Sequence, residues 1–140
     1  MIEGLLNEIM KATQTKAFNF DLNETVTRAQ NFLSEGAYFA FIATDVHNQQ
    51  DIGFITLCES HALYAGGDFG IIQECYVHPN FRAQGVGNLL LKHAKHFAIH
   101  KNWKRMEVTT PPLPAFSRSL KFYEKAGFTI TGGAKLKLPL

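Results

Sequence analysis

The sequence has no Walker string, no CxxC pair and no apolar run near the ~20 residues that a membrane-crossing helix needs. The first absence argues against an ATP or GTP switch, the second against a metal or disulfide scaffold, the third against a membrane protein. Its only two cysteines, Cys58 and Cys75, stand far apart and are expected as reduced thiols on buried strands of a cytoplasmic protein. Charge of one sign is also missing: 14 basic against 12 acidic side chains leave a net charge of +2, without the clustered basic face of a nucleic-acid binder. The opening segment MIEGLLNEIMKATQ lacks the apolar stretch of a secretion signal.

What is present suits one domain over residues 1–140. Apolar residues make up 46% of the chain and charged ones 19%, enough for a core, and 12 phenylalanines enlarge the burial per residue. Ile2, Leu5, Leu6, Ile9 and Met10 have helical spacing. A second helix is predicted with Asn23 as cap, Val26, Ala29 and Leu33 inward, and Gly36 as stop. AYFAFIATD and DIGFITLCES read as antiparallel strands, HALYAGGDFG as a loop, and IIQECYV as a third strand ended by Pro79. A helix from about Asn88 to about Lys101 has the stripe Leu90, Ala94, Phe97 and Ala98; RMEVTT is a fourth strand. The last helix, from about Ala115 to Lys125, should stop at a left-handed Gly127, and FTIT and KLKL should add two short strands. The order predicts a mixed α/β (α+β) fold with a mostly antiparallel sheet, one right-handed β-α-β crossover and helices on both faces.

The stretch VHPNFRAQGVGNLLLKHAK leads a strand through glycines into a helix. The first helical turn leaves amides unpaired and carries partial positive charge, and glycine lets an anion approach the backbone. Gln84, Gly85, Val86, Gly87 and Asn88 would supply amides, and Arg82 a charged donor. The dinucleotide fingerprint fails because Leu90 stands where its third glycine belongs. A pyrophosphate loop of the form [QR]xxGx[GA] fits at Arg82, Gly85 and Gly87; a plain turn into a helix is the alternative.

With ECYVHPNFRAQGVGNLLLKHA at residues 74–94 and SLKFYEKAGF at 119–128, the chain resembles the GNAT superfamily of acyl-CoA-dependent N-acyltransferases from about residue 36 onward. The resemblance implies transfer of an acetyl group from acetyl-CoA to a primary amine of a small molecule or peptide. It also implies a pyrophosphate on the amides of residues 84–88 and pantetheine on exposed backbone around Tyr76 and Val77, where the third and fourth strands part. Tyr123 matches the family's tyrosine near the CoA sulfur, and is thereby the expected general acid. Phe116, Leu120 and Tyr123 also have core spacing, so a structural role stays open. Glu74, on the strand that carries the thioester site, is the candidate base, with a water chain as the alternative. His78, before a proline, reads as a turn residue. His93, His96 and His100 lie near one helix face among lysines and read as a solvated edge, so no metal is expected.

Two features depart from the family pattern. Phe116 stands where many relatives carry an asparagine, so a polar CoA contact is either lost or supplied by Ser117 or Ser119. The family's first strand has no counterpart before the first helix, so the strand near residues 38–44 is expected at a bare edge, which a homodimer would cover. The acceptor site is expected between TKAFNFDLNE and ESHALYAGGDFG, with Phe18, Phe20, Asp21, Glu59, His61, Tyr64 and Asp68. A non-catalytic acyl-CoA-binding sensor on the same fold is the rival function.

Overall fold

Three β-branched and aromatic runs pair in chain order: Tyr38–Thr44 (β1), Asp51–Ala62 (β2) and Gly67–Val77 (β3) form antiparallel neighbours. Met106–Val108 (β4) joins β3 in parallel, and the sheet order is β1-β2-β3-β4. The computed structural model describes residues 1–13 and 21–140, so the expectation for Phe18 and Phe20 lies outside the described residues. Ile2–Thr13 (α1) and Leu22–Ser34 (α2) precede the sheet. Val86–His100 (α3) is the crossover helix between β3 and β4, and Ser117–Lys125 (α4) follows β4.

The core lies between α3 and one face of the sheet. Leu90, Leu91, Ala94 and Ala98 are buried on α3 against Ile55, Leu57 and Ile72. Each buried leucine contributes roughly 2 kcal/mol by removing apolar area from water. Phe97 extends that stripe into an aromatic cluster, 4.7 Å from Phe39, 5.4 Å from Phe41 and 5.5 Å from Trp103 between ring centroids. Gly70 lies under this cluster, where a Cβ would come within 2.3 Å of the Trp103 ring. The opposite face meets α1, since a Cβ on Gly4 would come within 2.8 Å of the Tyr76 hydroxyl.

Four local expectations are corrected. Asp21, not Asn23, caps α2: it is extended, and its carboxylate accepts a 2.9 Å bond from Glu24 N–H. Val26 and Leu33 do not face inward; they are 46% exposed, and α2 buries no residue completely, its main contact with the sheet being at the rim strand β1. HALYAGGDFG is mostly strand: β2 runs on through Ala62, one 3-10 turn at Leu63–Ala65 reverses the chain, and β3 starts at Gly67. FTIT and KLKL form no strand. Ile130, Leu136, Leu138 and Leu140 are highly exposed there, and a period-two pattern has no ladder without a neighbouring edge to pair with. Gly36 and Gly127 stop their helices as expected, with φ of 81° and 103°.

Candidate active site

The pairing of β3 with β4 ends early. Gly70, Ile71 and Ile72 face Met106, Glu107 and Val108; β4 ends there, and beyond Ile72 β3 has no strand partner on that side among the described residues. A bulge lies at the same level: Leu57 pairs with Ile72 but Thr56 pairs with Glu74, so Gln73 is the extra residue. Its consequence is a change of face. Ile72 packs in the α3 core, and strict alternation would send Glu74 there as well. With one residue inserted, Cys75 and Val77 face α3 and Glu74 turns to the α1 side, as Tyr76 does.

On that side the strands surround the Glu74 carboxylate with hydroxyls. Tyr38 on β1 donates to Oε2 at 2.5 Å, and Thr56 on β2 donates to the same oxygen. Thr56 Oγ1 in turn accepts the Glu74 backbone N–H at 3.0 Å. Burial first, and then the hydroxyl's bond to Glu74, push the Tyr38 phenol well above the usual tyrosine range.

The free edge of β3 is backbone. His78 N–H turns to Ile52 O on β2 at 2.7 Å, so alternation points the peptide groups of Val77 and Cys75 away from β2, to the unpaired side. Tyr76 turns its own peptide groups to β2 and lies buried beneath α1. Arg82 closes this end: Nε donates to Val77 O at 2.7 Å, and one Nη pairs with Glu8 of α1 at 2.8 Å, with the guanidinium over the Tyr76 ring. Its charge thus lies at the end of β3. His78 is a turn residue as expected, its Nδ1 accepting Asn80 N–H at 3.2 Å.

Past Arg82 the chain enters α3 through Gly85, whose φ of 83° is left-handed and whose Cβ position faces open space. Leu89 N–H is bonded to Gly85 O at 3.0 Å, so the amides of Val86, Gly87 and Asn88 precede the first intrahelical bond. Gly87 touches α4, where a Cβ would be 3.3 Å from the Phe122 ring. Gln84 directs its side chain to Asn80 O at 3.4 Å. The helix begins at Val86, two residues earlier than its pattern suggested, so both glycines belong to its N-terminal turn. Alongside, Asn88, Leu91, Lys92, Lys95, His96, Ile99 and Ala126 line a groove of about 280 Å³.

Tyr123 reaches β3 from the other side. It is buried among Phe122 and Phe128, and its hydroxyl lies beside the thiol of Cys75, the neighbour of Glu74. The candidate base thus lies on one face of β3 and the candidate acid, on α4, packs against the other face at the next residue, Cys75. Burial, and then Cys75, push the Tyr123 phenol far up. Burial also pushes the Cys75 thiol up to about 11, with the Tyr123 hydroxyl working against it. A thiol raised in this way favours folding fully below its unfolded pKa near 9, and that contribution is lost as pH rises through 11. Denaturant titrations between pH 8 and 11 should show stability falling, and Cys75→Ala should remove on the order of 2 kcal/mol of that fall.

The suggested acceptor residues on the hairpin are not gathered at Glu74. Asp68 is six residues from it along β3, roughly 20 Å at about 3.3 Å per residue. There Asp68 bonds His61 at 2.6 Å, Glu59 accepts Trp103 Nε1–H at 2.6 Å, and Arg105 covers the Tyr64 ring. His93, His96 and His100 are exposed on α3, and no metal-type cluster occurs among the described residues. Sequence reasoning missed Tyr38 and Thr56, because neither is near Glu74 along the chain and each is an ordinary strand residue.

Residues 36–130 match the family model described as acetyltransferase (GNAT) domain. No curated protein matches the sequence. Among solved structures, a probable acetyltransferase is 22% identical with a TM-score of 0.77, covering 99% of this chain and 91% of that one. An aminoglycoside acetyltransferase from an uncultured soil metagenomic sample is 18% identical with a TM-score of 0.75, covering 99% and 88%. A ribosomal-protein-alanine N-acetyltransferase from Brucella melitensis is 20% identical with a TM-score of 0.65, covering 80% and 77%. At such identities the likeness is one of fold.

Proposed function

The chain belongs to the GNAT acetyltransferase family, and we propose that it works as a single domain transferring an acetyl group from acetyl-CoA to a primary amine of a small molecule or a peptide. The observation that carries this reading is the unpaired edge of β3 past Ile72, with Glu74 on one face, Tyr123 packed against the other and the α3 N-terminus beyond. The residues present fit the cosubstrate. Gly85 leaves open space where any side chain would stand before an anion, and the amides of Val86, Gly87 and Asn88 point out of the helix end. Lys92 and Lys95 add positive charge in the groove beside Asn88. The free peptide edge at Cys75 and Val77 suits the amides of an extended pantetheine arm.

Acetyl-CoA, when bound, supplies an activated thioester. The Glu74 carboxylate accepts a proton from the acceptor amine, directly or through water, so that the nitrogen has a lone pair for the carbonyl carbon. The peptide N–H at the open edge polarises the thioester oxygen. As the C–S bond breaks, the Tyr123 hydroxyl gives its proton to the leaving sulfur; held neutral by burial, it has that proton to give at any working pH. Arg82 holds the loop by fixing Val77 O, which keeps strand and phosphate site in register.

An aminoglycoside and a ribosomal-protein alanine, named for two similar structures, support an amine acceptor in either size class. Among the described residues β1 pairs on one side only, and Leu22, Phe32 and Leu33 of the neighbouring α2 are exposed, which supports a homodimer covering that rim. No helix among the described residues is long and apolar enough to cross a membrane, and two free thiols support a cytoplasmic place.

The rival is a sensor that holds acyl-CoA without turnover. It is favoured by Phe116, which starts α4 without a side-chain cap where an asparagine would offer a polar contact. Acetyl-CoA at ~100 times its dissociation constant should raise stability by about 2.7 kcal/mol. Release of free CoA thiol over a panel of amines then separates the two readings. Binding without release on any amine establishes the sensor, and no stabilisation at saturation removes both.

A further inference from the structure

The three strands that carry Tyr38, Thr56 and Glu74 place those side chains on one face by register alone. Tyr38 pairs with Cys58, Cys58 and Thr56 are two apart on β2, and Thr56 pairs with Glu74 across the bulge. Tyr38 and Thr56 spend their hydroxyl protons on the same carboxylate oxygen, Oε2. No described residue bonds Oε1. The carboxylate is therefore not a free rotor. One oxygen is fixed by two donors from two strands, and that leaves the other as the only oxygen presented to an incoming group.

We propose that Tyr38 is a positioning residue for the transfer reaction: it holds Oε2 of Glu74 so that Oε1 alone meets the acceptor nitrogen. This rests on the acetyl-transfer reading given above. The Tyr38 hydroxyl suits the task because burial and the carboxylate itself keep it protonated, so it stays a donor across the working pH range. Its ring is held from the other side by Phe32 of α2, 5.4 Å away between centroids at 53°. Cys58, cross-strand from Tyr38, is the other titratable group facing this hydroxyl.

A double-mutant cycle of Tyr38→Phe and Glu74→Gln tests the proposal, read once in turnover and once in denaturant unfolding. Phenylalanine keeps the ring and its contact with Phe32, so the variant folds. In the wild-type background Tyr38→Phe should lower kcat about 10-fold, with acetyl-CoA affinity unchanged. In the Glu74→Gln background the same change should cost less than about twofold in kcat, because the carboxylate it positions is gone. A purely structural tyrosine would cost the same factor in both backgrounds, and that result overturns the proposal. Coupling in unfolding without coupling in turnover overturns it too, since the bond then serves the fold only. Turnover by no variant, wild type included, fails the acetyl-transfer reading and leaves Tyr38 and Glu74 a structural pair, which the unfolding cycle reports separately.

Discussion

Tyr123→Phe should lower kcat for acetyl transfer by ~10²–10⁴-fold, the usual worth of a general acid, while acetyl-CoA still stabilises the protein. The substitution removes one oxygen and keeps the ring between Phe122 and Phe128, so the core changes little. What is lost is the proposed proton donor, whose hydroxyl lies beside the Cys75 thiol. The effect should fall on kcat, since the leaving group gains its proton only as the bond breaks. Stopped-flow acyl transfer with thiol detection measures it. If kcat stayed within about threefold, Tyr123 would be a core residue with a satisfied hydroxyl, and the leaving thiolate would be stabilised by other means.

Gly85→Val should abolish stabilisation by acetyl-CoA, with affinity falling at least ~100-fold, because a branched Cβ would stand where the backbone meets an anion. Two causes contribute and can be separated. At φ 83° a β-branched residue is strained by roughly 2 kcal/mol, which appears in the unfolding of the ligand-free protein. Obstruction of the amides appears only in binding. Gly85→Asn divides the two, since asparagine tolerates left-handed backbone yet still carries a side chain into the open space. The expected outcome is near-native stability with weakened acetyl-CoA binding. Unweakened binding by Gly85→Asn would return the glycine pair to a plain turn.

The α3 N-terminus was legible in residues 82–88 because it is local. Glycine spacing, a following leucine stripe and the failure of two other phosphate loops all lie within one short stretch. The crossover of β3, α3 and β4 was legible for the same reason, as strands joined by one helix have little choice but to run parallel. Elements that depend on a partner were not. The residues of α2 have helical spacing, but spacing cannot say how much of the sheet remains for that helix to cover. KLKL alternates like a strand, yet alternation makes a ladder only where an edge accepts it.

By itself, then, the sequence determined the helix entrance that suits a pyrophosphate, the mixed sheet with its crossover, and the tyrosine of FYEKAGF as a residue to watch. Only the tertiary structure decided which way Glu74 faces. Inserting Gln73 as a bulge reverses the alternation of β3, which keeps a carboxylate out of the α3 core and turns it to the hydroxyls of Tyr38 and Thr56. Neither hydroxyl is marked in the sequence, because cross-strand register brings them together from positions 36 and 18 residues away. The end of the β3–β4 ladder was likewise decided in three dimensions. Where a ladder stops depends on two strands at once, and here it stops one residue before the carboxylate's strand position changes face.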